Sequence, residues 1–400
     1  MNDWNQTGTP PPAAPSQPVP PEGIPASAAQ PKPGSAAAPP QTAASNALSA
    51  GAAPPAQPAA GGMPPAGAQP DLHSARRNFS RIGLGYFLIV LIWYAVAIPM
   101  TMIVAHHAPQ TAISGWFQEV ISTVPLYLVA VPFGMLLFWK VPAEAPQQQK
   151  LPFGKLVACF FLSYFIMQAG NLLGSLLVLP LEWLRGGAIN NPVEQLLSGS
   201  NLWIMAVGIV LVAPVGEELL MRKVLLDRAR RYGEIPAMLL SGVLFGLFHA
   251  NLSQFFYAFA IGIFFAYIYL RTGRVQYTIV LHMLLNFLGG ILPTMLLQGA
   301  GDLTELSDAL LNGAGDAQAA MNLALDVLAR VTPFLVYGLC SLGFFITGLV
   351  FFCSRFKRRR FLPAAEELPK KKRFSTIYLN VGMILFFVLS LILIVISLLS

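Results

Sequence analysis

An all-α, polytopic membrane bundle of about eight to nine transmembrane helices, preceded by a disordered tail, is the fold class that the sequence predicts. Three observations predict it. Of 400 residues, 55% are hydrophobic and 11% charged, against roughly 25% charged in an ordinary soluble domain, and mean hydropathy is +0.60. The apolar residues come in runs of about 20, the length a helix rising about 1.5 Å per residue needs to cross a ~30 Å hydrocarbon core. The basic residues gather in short stretches between those runs, as cytoplasmic loops do. The net charge of +7 therefore reads as membrane orientation, and no nucleic-acid partner is expected.

Taken in order, residues 1–75 form the tail. It holds more than half of the 33 prolines, with abundant Ala, Gly, Ser and Gln, and too few large apolar side chains to build a core. Its first residues lack a basic and then apolar leader pattern, so no cleaved signal peptide is expected. The tail reads as a spacer, with an extended partner-binding segment as the alternative. Arg76, Arg77 and Arg81 precede the first apolar run and place the N-terminus in the cytoplasm.

Apolar spans are expected at roughly 82–105, 117–139, 155–180, 201–222, 236–250, 254–270, 275–298, 331–354 and 376–399, nine crossings in all. The order divides into N-terminal transmembrane helices at 76–150, a core at 151–300, an extracytoplasmic acidic loop at 301–330 and C-terminal transmembrane helices with a basic cytoplasmic loop at 331–400. Charge supports this threading: Lys223, Arg228, Arg230 and Arg231, then Arg271 and Arg274, then the run from Arg355 to Arg373 fall inside, while Asp302, Glu305, Asp308, Asp316 and Asp326 fall outside. Leucines at helical spacing in 302–330 predict two short surface helices broken near Gly313 to Gly315, a connector or a lid. The bilayer is thus the first partner, and a multi-pass place in the plasma membrane is expected.

Within the spans, Pro99, Pro125, Pro132, Pro214 and Pro293 are expected to kink their helices. Gly242 and Gly246, four apart, permit close helix packing. Cys159, Cys340 and Cys353 are odd in number and lie in apolar runs, so no disulfide framework is expected.

The chemistry gathers between Val212 and Gly290, where six polar residues interrupt apolar segments. An ionisable group in hydrocarbon is costly unless it faces a partner or a wet cavity. Glu218 and Arg222 are four apart with the acid first, the favourable order for an ion pair on a helix. Glu217 lies about 100° around the same helix and is less easily neutralised. Phe245 and His249 share one face, as do His282 and Asn286. Three helices can therefore bring a carboxylate, two imidazoles and an amide together, the equipment to take a proton from water and to support an oxyanion. Glu217, His249 and His282 also make a three-ligand set for a divalent metal such as zinc, although the two-histidine metalloprotease signature is absent, since Ala250 and Asn251 follow His249.

In order and spacing, Glu217-Glu218 with Arg222, Phe245 with His249, and His282 with Asn286 resemble the three motifs of the CPBP family of intramembrane proteases, the CAAX-processing and bacteriocin-processing enzymes. The resemblance covers about residues 150 to 300. It implies an intramembrane endopeptidase acting on a membrane-bound or hydrophobic peptide, with Glu217 activating water together with His249, Glu218 and Arg222 as a structural pair beside Phe245, and His282 and Asn286 supporting the oxyanion. The family has been described both as metallo- and as glutamate-type; the untied Glu217 favours the second, without a cofactor. Two other classes stay open: a non-catalytic scaffold or immunity-type regulator of the same fold, and a proton-coupled transporter, for which no internal repeat is visible.

Overall fold

The computed structural model describes residues 70–187, 189, 202–301, 317–355 and 361–399. The expected tail lies almost wholly outside them, as do half of the acidic loop and the start of the basic run. Every regular element among the described residues is helical.

Helix α1 (Leu72–His107) begins at Asp71, whose side chain accepts the His73 N–H and so satisfies one open amide of the first turn. A four-residue turn, Pro109–Ala112, leads to α2 (Gly115–Phe138). Then follow α3 (Phe153–Arg185), α4 (Leu202–Tyr232), α5 (Glu234–Phe248), α6 (Leu252–Thr272), α7 (Gln276–Ala300), α8 (Ala317–Arg355), α9 (Lys370–Ile377) and α10 (Val381–Leu399). Eight of these, all but α5 and α9, are long and apolar enough to cross a membrane, and the chain is a multi-pass membrane protein.

Two expectations change. The fifth span is the 15-residue α5, only about 22 Å long and short of a ~30 Å core; Gly233 at φ 129° breaks the helix before it, and the chain turns after Phe248. The second surface helix of the acidic loop is instead the first part of the 39-residue α8, which runs through Pro333 without a break. Met321, Leu325 and Leu328 are exposed on it. Its supposed partner helix lies outside the described residues.

The core sits where α5 and α6 pack together and α3 lies across α6. A Cβ on Gly242 would stand 2.6 Å from the Ile263 side chain, and one on Gly262 would stand 2.8 Å from Gly242 itself, so the α5–α6 approach requires both glycines. Outer helices α1 and α10 pair with one another, as do α3 and α8.

Two extended segments tie the helix ends at one end of the bundle. After α2, Glu144 N–H bonds the Asp227 carbonyl, Gln149 N–H bonds Thr272 and Leu151 N–H bonds the Tyr277 hydroxyl. Before α9, Glu366 and Leu368 donate to the Arg231 and Tyr232 carbonyls, and Glu366 pairs with Arg231. Unpaired carbonyls at the last turn of a helix need such partners.

Several prolines sit beside wide, π-type turns rather than at plain kinks. In α4 the turn spans Val207–Val212 ahead of Pro214, and in α7 it spans Phe287–Ile291 ahead of Pro293. A further π turn, Leu219–Val224, begins directly after Glu218. Such turns tend to occur where a helix is re-aimed for a site.

Candidate active site

Helix α4 carries three of the residues. Arg222 and Glu218 are fully buried and paired through two bonds, Nε to Oε2 at 2.9 Å and Nη2 to Oε1 at 3.1 Å. The remaining guanidinium nitrogen, Nη1, donates to Ser241 Oγ on α5 at 2.7 Å, and the guanidinium lies over the Phe245 and Phe265 rings at 5.1 and 5.7 Å. A bidentate pair with its other donor used and two aromatic faces over it is the arrangement in which a buried charge is tolerated. The i, i+4 spacing supplies the pair; Ser241, on the neighbouring helix, was not legible from it.

Glu217 is the contrasting neighbour. Its side chain is 16% exposed, and its Oε2 is buried without a hydrogen-bond partner. His282, from α7, stands between the two acids: Nδ1 is 3.1 Å from Glu218 Oε1, and Nε2 is 3.7 Å from Glu217 Oε2. The first distance is a hydrogen bond and fixes the ring, with Nδ1–H donating to the carboxylate. The second is a near approach that leaves Nε2 facing the open acid.

His249 caps the end of α5. Its Nδ1 donates to the Phe245 carbonyl at 2.8 Å, which leaves Nε2 as the free nitrogen. Its ring meets Phe245 edge-on at 4.9 Å and Tyr257 at 6.4 Å. Phe245 also meets His282 at 5.8 Å, so this ring is the wall between the two imidazoles. No hydrogen bond or ion pair joins His249 to Glu217 among the described residues, and the imidazole nearest that acid is His282. Asn286, one turn beyond His282, donates from Nδ2 to the Ile209 carbonyl at 2.9 Å.

The structure adds groups on α2. Glu119 is 5% exposed, accepts the Thr123 hydroxyl at 2.9 Å and packs its carboxylate against Gly208 of α4. Two turns on, Tyr127 lays its ring on Gly216 and donates to the Ala213 carbonyl at 3.3 Å. A Cβ at either glycine would overlap these side chains. Glu119, Thr123 and Tyr127 thus form a polar stripe at i, i+4, i+8 that runs along α4 toward Glu217. An acid inside the apolar run 117–139 was the available signal for Glu119.

Among the described residues no group of three or more His, Cys, Asp or Glu side chains is arranged to hold a metal ion.

Residues 199–288 match a family model, Rce1-like: Type II CAAX prenyl endopeptidase Rce1-like. The match takes in all three motifs and agrees with their resemblance to the CPBP proteases. No curated protein and no solved structure matches the chain.

Proposed function

We propose that the protein is an intramembrane endopeptidase of glutamate type, in which Glu217 draws the proton from a water molecule attacking the scissile carbonyl. The observation that carries this reading is the pairing of two adjacent acids with opposite surroundings. Glu218 is tied to Arg222 by two bonds, while Glu217 Oε2 is buried, unpartnered and faces His282 Nε2. A carboxylate free of partners is the one able to accept a proton.

In this mechanism the water oxygen bonds to the carbonyl carbon and its proton passes to Glu217. The tetrahedral intermediate then collapses, the C–N bond breaks, and the amine leaves with the proton that Glu217 held. His282, oriented by Glu218, sits beside Glu217, and as an imidazolium it can donate from Nε2 to developing negative charge. His249 offers its free Nε2 from the end of α5. No step is routed through a metal.

The substrate class that fits is a hydrophobic, membrane-held peptide, either CAAX-like or leader-like, reached in the plasma membrane with the N-terminus of the enzyme in the cytoplasm. The Rce1-like match favours the CAAX-like choice.

The test is cleavage mapping by mass spectrometry. Wild type and Glu217→Gln in liposomes are offered a mixture of membrane-anchored peptides, including a prenylated CAAX-terminated one, with and without a strong chelator. Cleavage by wild type alone, indifferent to chelator, is the expected result. Chelator-sensitive cleavage would replace the glutamate mechanism with a metal-assisted one, and turnover by Glu217→Gln would remove Glu217 from the chemistry.

A further inference from the structure

Resting on that reading, we infer that Tyr337, on a helix beyond the matched segment, is a positioning residue of the site: its hydroxyl closes the π turn after Asn286 and so fixes the angle at which His282 and Asn286 face Glu217.

The π turn in α7 lacks one backbone donor. In the π turn Phe287–Ile291, Leu292 N–H bonds the Phe287 carbonyl five residues back. The next donor in that register would bond the Leu288 carbonyl, but it is Pro293, which has no N–H. The Leu288 carbonyl is left open, and a buried open carbonyl is costly. Tyr337, from α8, donates its hydroxyl to that oxygen at 2.8 Å.

The same device occurs in α4. Ala213 N–H bonds Gly208 five residues back, Pro214 lacks the next N–H, and the Ile209 carbonyl so left open is taken by Asn286 Nδ2 at 2.9 Å. Both π turns lie in helices that carry the site, and both are completed by a side chain from a facing helix. The two bonds form a chain: α8 secures the turn in α7, and α7 secures the turn in α4 ahead of Glu217.

Helix α8 is tied to α3 beside this bond. Ser341, one turn on, shares a 2.6 Å hydrogen bond with Tyr164 of α3, and Met167 of the same helix packs on Gly289 inside the turn. A π turn inserts one residue into the helix, so its relaxation would rotate one half against the other by about 100°. His282 and Asn286 lie on one side of this turn, and the α8 contact lies within it.

The experiment compares wild type, Tyr337→Phe, Pro293→Ala and the double variant, all full-length. Two readouts are used: hydrogen–deuterium exchange of amides 289–297, and cleavage of a prenylated CAAX-terminated peptide. Tyr337→Phe keeps the ring and loses the donor. We expect about a tenfold rise in exchange and about a tenfold fall in kcat, with KM within about twofold. Pro293→Ala, which supplies the missing N–H, should behave like wild type alone and restore both quantities in the double variant. A role in packing alone predicts no such rescue. Unchanged exchange in Tyr337→Phe, or a defect that the added N–H leaves in place, would overturn the inference. Exchange needs no cleavage, so it decides the bond even if Glu217→Gln proves active and the proposed reaction falls.

Discussion

His282 Nε2 stands 3.7 Å from Glu217 Oε2 while its other nitrogen is bound to Glu218. The imidazole therefore has a fixed side and an open side, and the adjacent acids of one helix have unlike surroundings. Reach across that gap should be the sensitive quantity. Glu217→Asp withdraws the carboxylate by about one methylene, and a misplacement of about 1 Å can cost about 100-fold in rate. We expect a loss of that order in kcat, with the thermal midpoint of the detergent-solubilised protein unchanged. A rate within threefold of wild type would deny Glu217 the proposed role of base.

The Glu218–Arg222 pair should behave in the opposite way. Both groups are fully buried, and removing one partner of a buried pair costs about 3–5 kcal/mol because the other charge is stranded. Arg222→Ala should lower the unfolding midpoint strongly. Arg222→Lys should fail to restore it, since an ammonium cannot fork to Glu218 while reaching Ser241. Denaturation in detergent measures both, and a lysine variant of wild-type stability would contradict the bidentate account.

At Gly216 the prediction concerns shape. A Cβ there would overlap the Tyr127 ring, and overpacking costs about 1–3 kcal/mol. Gly216→Ala should push α2 from α4 beside Glu217, reducing stability and cleavage together. Tyr127→Ala in the same chain should relieve the overlap and return part of the stability. Thermal unfolding of the two single variants and the double variant closes this cycle.

Asn286 has a bond to lose besides any contact with substrate. Asn286→Ala strands the Ile209 carbonyl and should cost about 1–3 kcal/mol. Pro214→Ala should return that stability by supplying a backbone N–H, yet leave cleavage low if the amide also serves the oxyanion. Recovery of cleavage with stability would assign Asn286 to the helix alone.

The spans, the Glu218–Arg222 pair and the shared face of His282 and Asn286 were legible because each depends on spacing along one helix, a property that the chain carries locally. What the spacing could not give is the partner across the gap. Ser241 completing Arg222, His282 rather than His249 beside Glu217, and Tyr337 on the Leu288 carbonyl all arise from the angle between helices. The π turns set those angles, and a proline in an apolar run announces a bend without stating its register. The fifth expected span, 236–250, matches α5 in length, but 15 residues of helix reach only about 22 Å, short of the full crossing expected of it.

The strap before α9 bears on how this protein is made. Its residues Glu366 and Leu368 bind the Arg231 and Tyr232 carbonyls, some 130 positions earlier in the chain. During synthesis, the end of the helix bearing Glu217 must wait, unsealed, until most of the polypeptide has left the ribosome. That end of α4 is thus fastened only after α5 to α8 have been threaded.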